Sequence, residues 1–157
     1  TAQPLDAEMQ GRIAVHKQER PASWQTLELP AGIIPYFQDR PPQANIFLLD
    51  CLTMLIANLI MAASPDVDAP EEQAAAEAIN TELQDLINWI HSQPGTWIIV
   101  SNEVGLGLVP PYPLGRIYRD LLGWANQRLS AEADEVFFLI AGIPVPLHVF
   151  RDAGEKQ

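Results

Sequence analysis

Cysteine is nearly missing from this chain. Cys51 is the only one in 157 residues, so no disulfide can close within it, and a reducing cytoplasm is the expected compartment. Histidine is sparse as well, and His16, His91 and His148 are too widely separated to form a zinc site by spacing. Positive charge is scarce: nine basic residues stand against 20 acidic ones, a formal charge of −11. A surface of that sign repels the phosphates of nucleic acid and of anionic lipid, so neither is an expected partner. It does not exclude a nucleotide, which a few local cations or a metal ion can hold. Long apolar runs are lacking too. The longest, Cys51–Ala63, is interrupted by Thr53 and Asn58 and is too short to span a bilayer. There is no signal-peptide pattern, no Gly-x-Ser-x-Gly elbow and no internal repeat. The start at Thr1 rather than Met is expected to reflect processing or an upstream segment.

What remains is 48% hydrophobic and 18% charged, the composition of a globular chain, and residues 1–157 are expected to form a single domain around one core. Asp6–Lys17 has helical spacing, with Met9 and Ile13 on one face. Trp24–Leu29 alternates well enough to predict a short strand. Prolines 30, 35, 41 and 42 mark loops around at most a short helix at Gly32–Gln38. Asn45–Asp50 is a continuous apolar run ending in a carboxylate, which predicts a strand buried on both faces. Thr53 is placed to cap a helix running to about Met61. A loop at Ser64–Pro70 precedes a long helix, Glu71–His91, striped with Ala75, Ile79, Leu83, Leu86, Ile87 and Ile90. Thr96–Ser101 is a second buried strand, Asn102–Pro113 a Gly/Pro loop, Leu114–Ser130 a helix and Glu135–Ile140 a third strand. Ile143–Phe150 is a candidate edge strand, because Pro144 and Pro146 cannot donate to a ladder. The alternation predicts a layered α/β fold with a mostly parallel sheet, whose ligands bind beyond the carboxyl ends of its strands.

That rule draws attention to Asp50, to Ser101-Asn102-Glu103 and to the loop after Ile140. Asp50 ends an apolar strand, as a magnesium-holding acid does in nucleotide-hydrolysing folds, and equally as a carboxylate at a helix start does. The glycines of Asn102-Glu103-Val104-Gly105-Leu106-Gly107 permit close backbone approach, and the same stretch also reads as a surface turn. His16 could attack phosphorus through a neutral ring nitrogen, with Lys17 and Arg20 beside it for phosphate oxygens; it also reads as an ordinary surface histidine. On α-helical spacing Arg116 can pair with Asp120.

These signals fall into one order. Ser101-Asn102-Glu103-Val104-Gly105-Leu106-Gly107-Leu108-Val109-Pro110 resembles the Ser-Asn-Glu-Val-Gly-x-Gly-x-Val-Pro signature of the bifunctional adenosylcobinamide kinase / adenosylcobinamide-phosphate guanylyltransferase family. Arg119-Asp120-Leu121-Leu122-Gly123, Asn126-Gln127 and Ala133-Asp134-Glu135-Val136 continue the resemblance. So do Leu49-Asp50-Cys51-Leu52-Thr53 with Asn58-Leu59, and Arg12 through Lys17 with Arg20, Trp24, Thr26 and Glu28. It covers residue 1 to about Leu147. The resemblance implies a P-loop NTPase-like (RecA-like) fold, a homotrimer, and magnesium with GTP and ATP as substrates. It implies phosphorylation of adenosylcobinamide, followed by GMP transfer from GTP through a guanylylated histidine. That histidine matches His16. The nucleotide contacts match Thr1, Ala2, Lys17, Gln18, Glu19, Arg20, Glu28 and Asp50, with Asp50 also the metal residue and Asn102 and Glu103 in a loop near the site. Family members begin with a strand and a glycine-rich phosphate loop, Gly-x-x-x-x-Gly-Lys-Ser. No Gly-Lys-Ser or Gly-Lys-Thr occurs in this sequence, so the N-terminal strand and phosphate loop are expected to be absent from it. Pro111 and His148 stand where the family usually has glutamate and lysine. Two other readings stay open: a homologue that binds nucleotide or cobinamide without turnover, and a non-catalytic interaction protein.

Overall fold

The Asp6 carboxylate accepts a hydrogen bond from the Met9 amide at 2.7 Å, capping helix α1, Ala7–Glu19. The computed structural model describes residues 1–150 apart from positions 65 and 67. Those two positions of the expected 64–70 loop, and the tail from residue 151, lie outside the described residues. After α1 come α2 (Ile33–Asp39), β1 (Ile46–Asp50), α3 (Leu52–Ala63), α4 (Glu72–Ser92), β2 (Thr96–Val100), α5 (Pro113–Glu132), β3 (Phe137–Ile140) and β4 (Ile143–Pro146).

The apolar stripe read from the sequence of α4 is the centre of the core. Ala75, Ile79, Leu83 and Leu86 are fully buried, as are Leu55 and Ile56 of α3 and Leu122 and Ala125 of α5. Three helices thus pool their apolar faces, the commonest way for amphipathic helices to bury them. The short helix α2 is tied to α4 by charge: the Glu82 carboxylate accepts from the Gly32 and Ile33 amides at 3.0 and 2.9 Å. Gly32, at φ 69°, supplies the left-handed turn that starts α2. Phe37 of α2 then meets Phe47, Trp89 and Trp97 at centroid distances of 5.9, 5.8 and 6.2 Å, and Phe47 stacks on Trp97 at 4.7 Å.

β1 and β2 run parallel, with Leu48 opposite Ile98 and Asp50 opposite Val100. Their pleat sends Phe47, Leu49, Trp97 and Ile99 towards the helices, while Ile46, Leu48, Ile98 and Val100 remain exposed. The strands are therefore covered on one face, not on both as their continuous apolar runs suggest. Composition alone does not distinguish these cases, because alternate positions of a strand face opposite ways whatever occupies them.

Three further expectations are corrected. β3 does not join the parallel sheet but pairs antiparallel with β4 in a separate hairpin, turning through Ala141 and Gly142. Ladder pairing there ends at Pro146. Trp24–Leu29 forms no strand: alternation supplies a pattern, but no neighbouring strand offers this segment a ladder. Thr53 does not cap α3, whose N-cap is Cys51; its hydroxyl accepts instead from the Asn102 amide at 3.0 Å, tying the end of β2 to α3. Among the described residues no helix is long and apolar enough to cross a membrane.

Candidate functional site

Along the open face of β1 and at the carboxyl ends of β1 and β2, several segments converge. The Thr1 hydroxyl donates to the Cys51 carbonyl at 2.7 Å and accepts from the Cys51 amide at 3.0 Å. That two-way bond lays Thr1 and Ala2 beside the end of β1. The second half of α1 and the segment from Arg20 to Leu29 form the opposite wall. Between them lies a cleft of about 940 Å³, whose lining includes Leu48 and Ile98 from the open face of the sheet. Its floor is apolar and its rim is polar, the composition expected of a small-molecule site.

Of the residues singled out in the sequence, Thr1, Ala2, His16, Lys17, Arg20, Glu28, Asp50 and Asn102 all line this cleft. They come from positions up to 101 residues apart. Gln18 and Glu19 are exposed on α1 and do not line it. Glu103 lies instead in a second, more open depression of about 610 Å³ with Arg119 and Asp120. There its carboxylate accepts from the Gly105 amide at 2.5 Å, while Asn126 fastens the loop by donating to the Asn102 carbonyl at 3.0 Å.

The rim charges come in opposed pairs. Lys17 Nζ lies 2.6 Å from Glu28 Oε1. The Arg20 guanidinium lies 3.3 Å from Asp50 Oδ2 and also donates to the Thr26 hydroxyl at 3.3 Å. The hydrogen bond from Lys17, reinforced by its positive charge, holds the Glu28 carboxyl below its ordinary range. Both pairs are substantially open to solvent. Solvent screens exposed pairs of this kind, so neither cation is held tightly by its carboxylate. His16 stands one residue before Lys17 and is exposed. Among the described residues no hydrogen bond or ion pair engages its ring.

Asp50 is the one candidate metal residue, and among the described residues no group of three or more His, Cys, Asp or Glu is placed to hold an ion. Magnesium is usually held by one or two carboxylates, with water and substrate phosphates completing its shell. The donor set here fits an ion that arrives on a nucleotide and takes Asp50 as its protein ligand. It does not fit a resident metal.

Sequence reasoning passed over Trp24, Met54 and Cys51 as cleft residues, and Asn58 beneath it. Their side chains reach the site through the path of the chain, which no local pattern encodes. Arg116 was expected to pair with Asp120. It donates instead to the carbonyls of Pro110 and Pro111 at 3.3 and 2.9 Å, where it anchors the loop before α5.

Residues 1–147 match the model of a family described as cobinamide kinase / cobinamide phosphate guanyltransferase. The chain is 37% identical over 147 residues to the bifunctional adenosylcobalamin biosynthesis protein CobP of Pseudomonas aeruginosa, covering 94% of this chain and 79% of that one. It is 39% identical over 150 residues to the corresponding CobU of Escherichia coli, with 94% and 82% covered. The Salmonella typhimurium CobU is likewise 39% identical, over 149 residues.

Proposed function

The chain belongs to the cobinamide kinase / cobinamide phosphate guanyltransferase family, and from that premise we propose that the cleft under α1 is its guanylyl-transfer site. The observation that carries the reading is His16: an unengaged imidazole on the cleft wall, followed directly by Lys17 and one turn later by Arg20.

In the first displacement, a lone pair of the neutral His16 ring forms a bond to the α-phosphorus of GTP, and the bond from that phosphorus to the pyrophosphate oxygen breaks. In the second, a phosphate oxygen of adenosylcobinamide phosphate attacks the same phosphorus. The phosphorus–nitrogen bond breaks and its electron pair returns to His16, leaving adenosyl-GDP-cobinamide. Splitting one transfer into two displacements is ordinary covalent catalysis. Lys17 and Arg20 leave their carboxylate partners to donate to phosphoryl oxygens as charge develops there. Thr1, Ala2 and Glu28 complete the nucleotide contacts of this reading, Gln18 and Glu19 standing outside the cleft, and the Asn102-Glu103 loop borders them. Magnesium, held by Asp50, would offset charge on the leaving pyrophosphate.

The same reading includes phosphorylation of adenosylcobinamide by ATP or GTP, which rests on the family rather than on the His16 cleft. It also includes a P-loop-like layering, consistent with the parallel β1–β2 pair and an acid at the end of β1, and work in the cytoplasm.

Incubation with α-labelled GTP and magnesium, followed by denaturing electrophoresis, tests the proposal. Acid-labile label is expected on the wild-type protein and at most about 1% of it on His16→Ala, since removing a covalent nucleophile leaves no phosphoramidate to form. Equal labelling of the two proteins removes His16 from the mechanism.

A further inference from the structure

Helix α3 is apolar almost throughout, and Asn58 is its conspicuous exception. Asparagine is a weak helix former, and a polar side chain on a largely apolar helix conflicts with the local pattern. Such conflicts gather where function overrides packing. Here the carboxamide has a defined task. Its Nδ2 donates to the Thr1 carbonyl at 2.9 Å and to the Pro30 carbonyl at 2.9 Å. An amide nitrogen carries two hydrogens, so both donors are used, one on each of two segments that are otherwise far apart in sequence.

The two segments are the opposite sides of the cleft. Thr1 is bonded in both directions to Cys51, next to Asp50. Pro30 ends the wall whose Glu28 pairs with Lys17, the neighbour of His16. Leu27 and Leu29 of the wall pack against the core and exposed ion pairs join its rim. But α1 has no buried residue, and the bonds from Asn58 are what tie the end of the wall to Thr1. The geometry points to Asn58 as a positioning residue for guanylyl transfer. It fixes the separation of floor and wall, so that His16 and Lys17 stand over Asp50 with the reacting phosphate between them. This inference rests on the His16 reading and adds to it a residue that never touches the nucleotide.

The experiment compares wild type with Asn58→Leu, which removes both donors at similar volume, and with Asn58→Asp, which places a carboxylate against two carbonyl oxygens. Three quantities are measured below the melting temperature of each variant: the rate of labelling by α-labelled GTP across GTP concentration, the melting temperature, and amide hydrogen exchange across residues 20–31. The expected result is a labelling rate at saturating GTP lowered at least tenfold in both variants. Exchange across residues 20–31 rises, while exchange in α4 stays unchanged. A loss of rate that only follows the unfolded fraction makes Asn58 part of the core's support and overturns the proposal, as does a wild-type rate in Asn58→Leu. If wild type takes no label while exchange across residues 20–31 still responds to Asn58→Leu, the His16 reading fails and the tie between floor and wall stands. If neither responds, both fail.

Discussion

Lys17 and Glu28 show how much of this site is electrostatic balance rather than packing. Neither side chain is buried, so their bond at 2.6 Å is maintained by charge and lies open to solvent. The carboxyl titrates below its ordinary value of 4.5 because the ammonium stabilises its charged form. A lowered folded value means that the pair is complete above the ordinary carboxylate range and is lost as pH falls through the lowered one. In Lys17→Met the Glu28 carboxyl is expected to titrate upward, back towards 4.5, in a carbon-detected NMR titration; an unmoved value shows that Lys17 is not what lowers it. At this scale the sequence was informative where the family resemblance reached. His16, Lys17, Arg20, Glu28 and Asp50 were singled out, and all five line one cleft. From pattern alone His16 was one surface histidine among three. Asn58 was legible as an interruption in an apolar run and as part of the family resemblance, but its task was not, because its partners lie 57 and 28 residues away.

Among the elements, the buried and the exposed helices differ in what they owe to packing. α4 contributes five buried residues and α1 none. Leu83→Ala, at a fully buried position of α4, is expected to cost about 2–5 kcal/mol and to lower Tm on the order of 10 °C by calorimetry. Val15→Ser on α1 is expected to change stability by less than about 0.5 kcal/mol while leaving the cleft walls intact. The helices with strong apolar periodicity, α4 and α5, lie within two residues of where the sequence puts them at their starts and ends. β1 and β2 were equally plain. The failures share a cause: a strand at Trp24–Leu29 and a cap at Thr53 were inferred from local chemistry. What decides them is the partner that tertiary structure brings alongside, and for Thr53 that partner is the Asn102 amide.

For the molecule as a whole, a net charge of −11 is compatible with the proposed polyphosphate site because charge is distributed locally. Three cationic side chains, Arg12, Lys17 and Arg20, line one cleft, while most of the acidic residues lie elsewhere. An α/β architecture with a parallel pair was readable from the order of apolar runs. The assignment of the third strand to a hairpin was not, since a short strand carries no mark of which neighbour it will join. The one-sided cover of β1 and β2 has an optical consequence. Two of the four tryptophans, Trp24 on the wall and Trp97 against the floor, border the cleft, and Trp97 already lies against Phe47 at 4.7 Å. A guanine base entering the cleft should therefore dim the protein's own emission. Titration with GDP is expected to quench the indole fluorescence in a saturable way, and most of that response should disappear in Trp24→Phe. The molecule thus carries its own reporter of occupancy, one that needs neither label nor turnover.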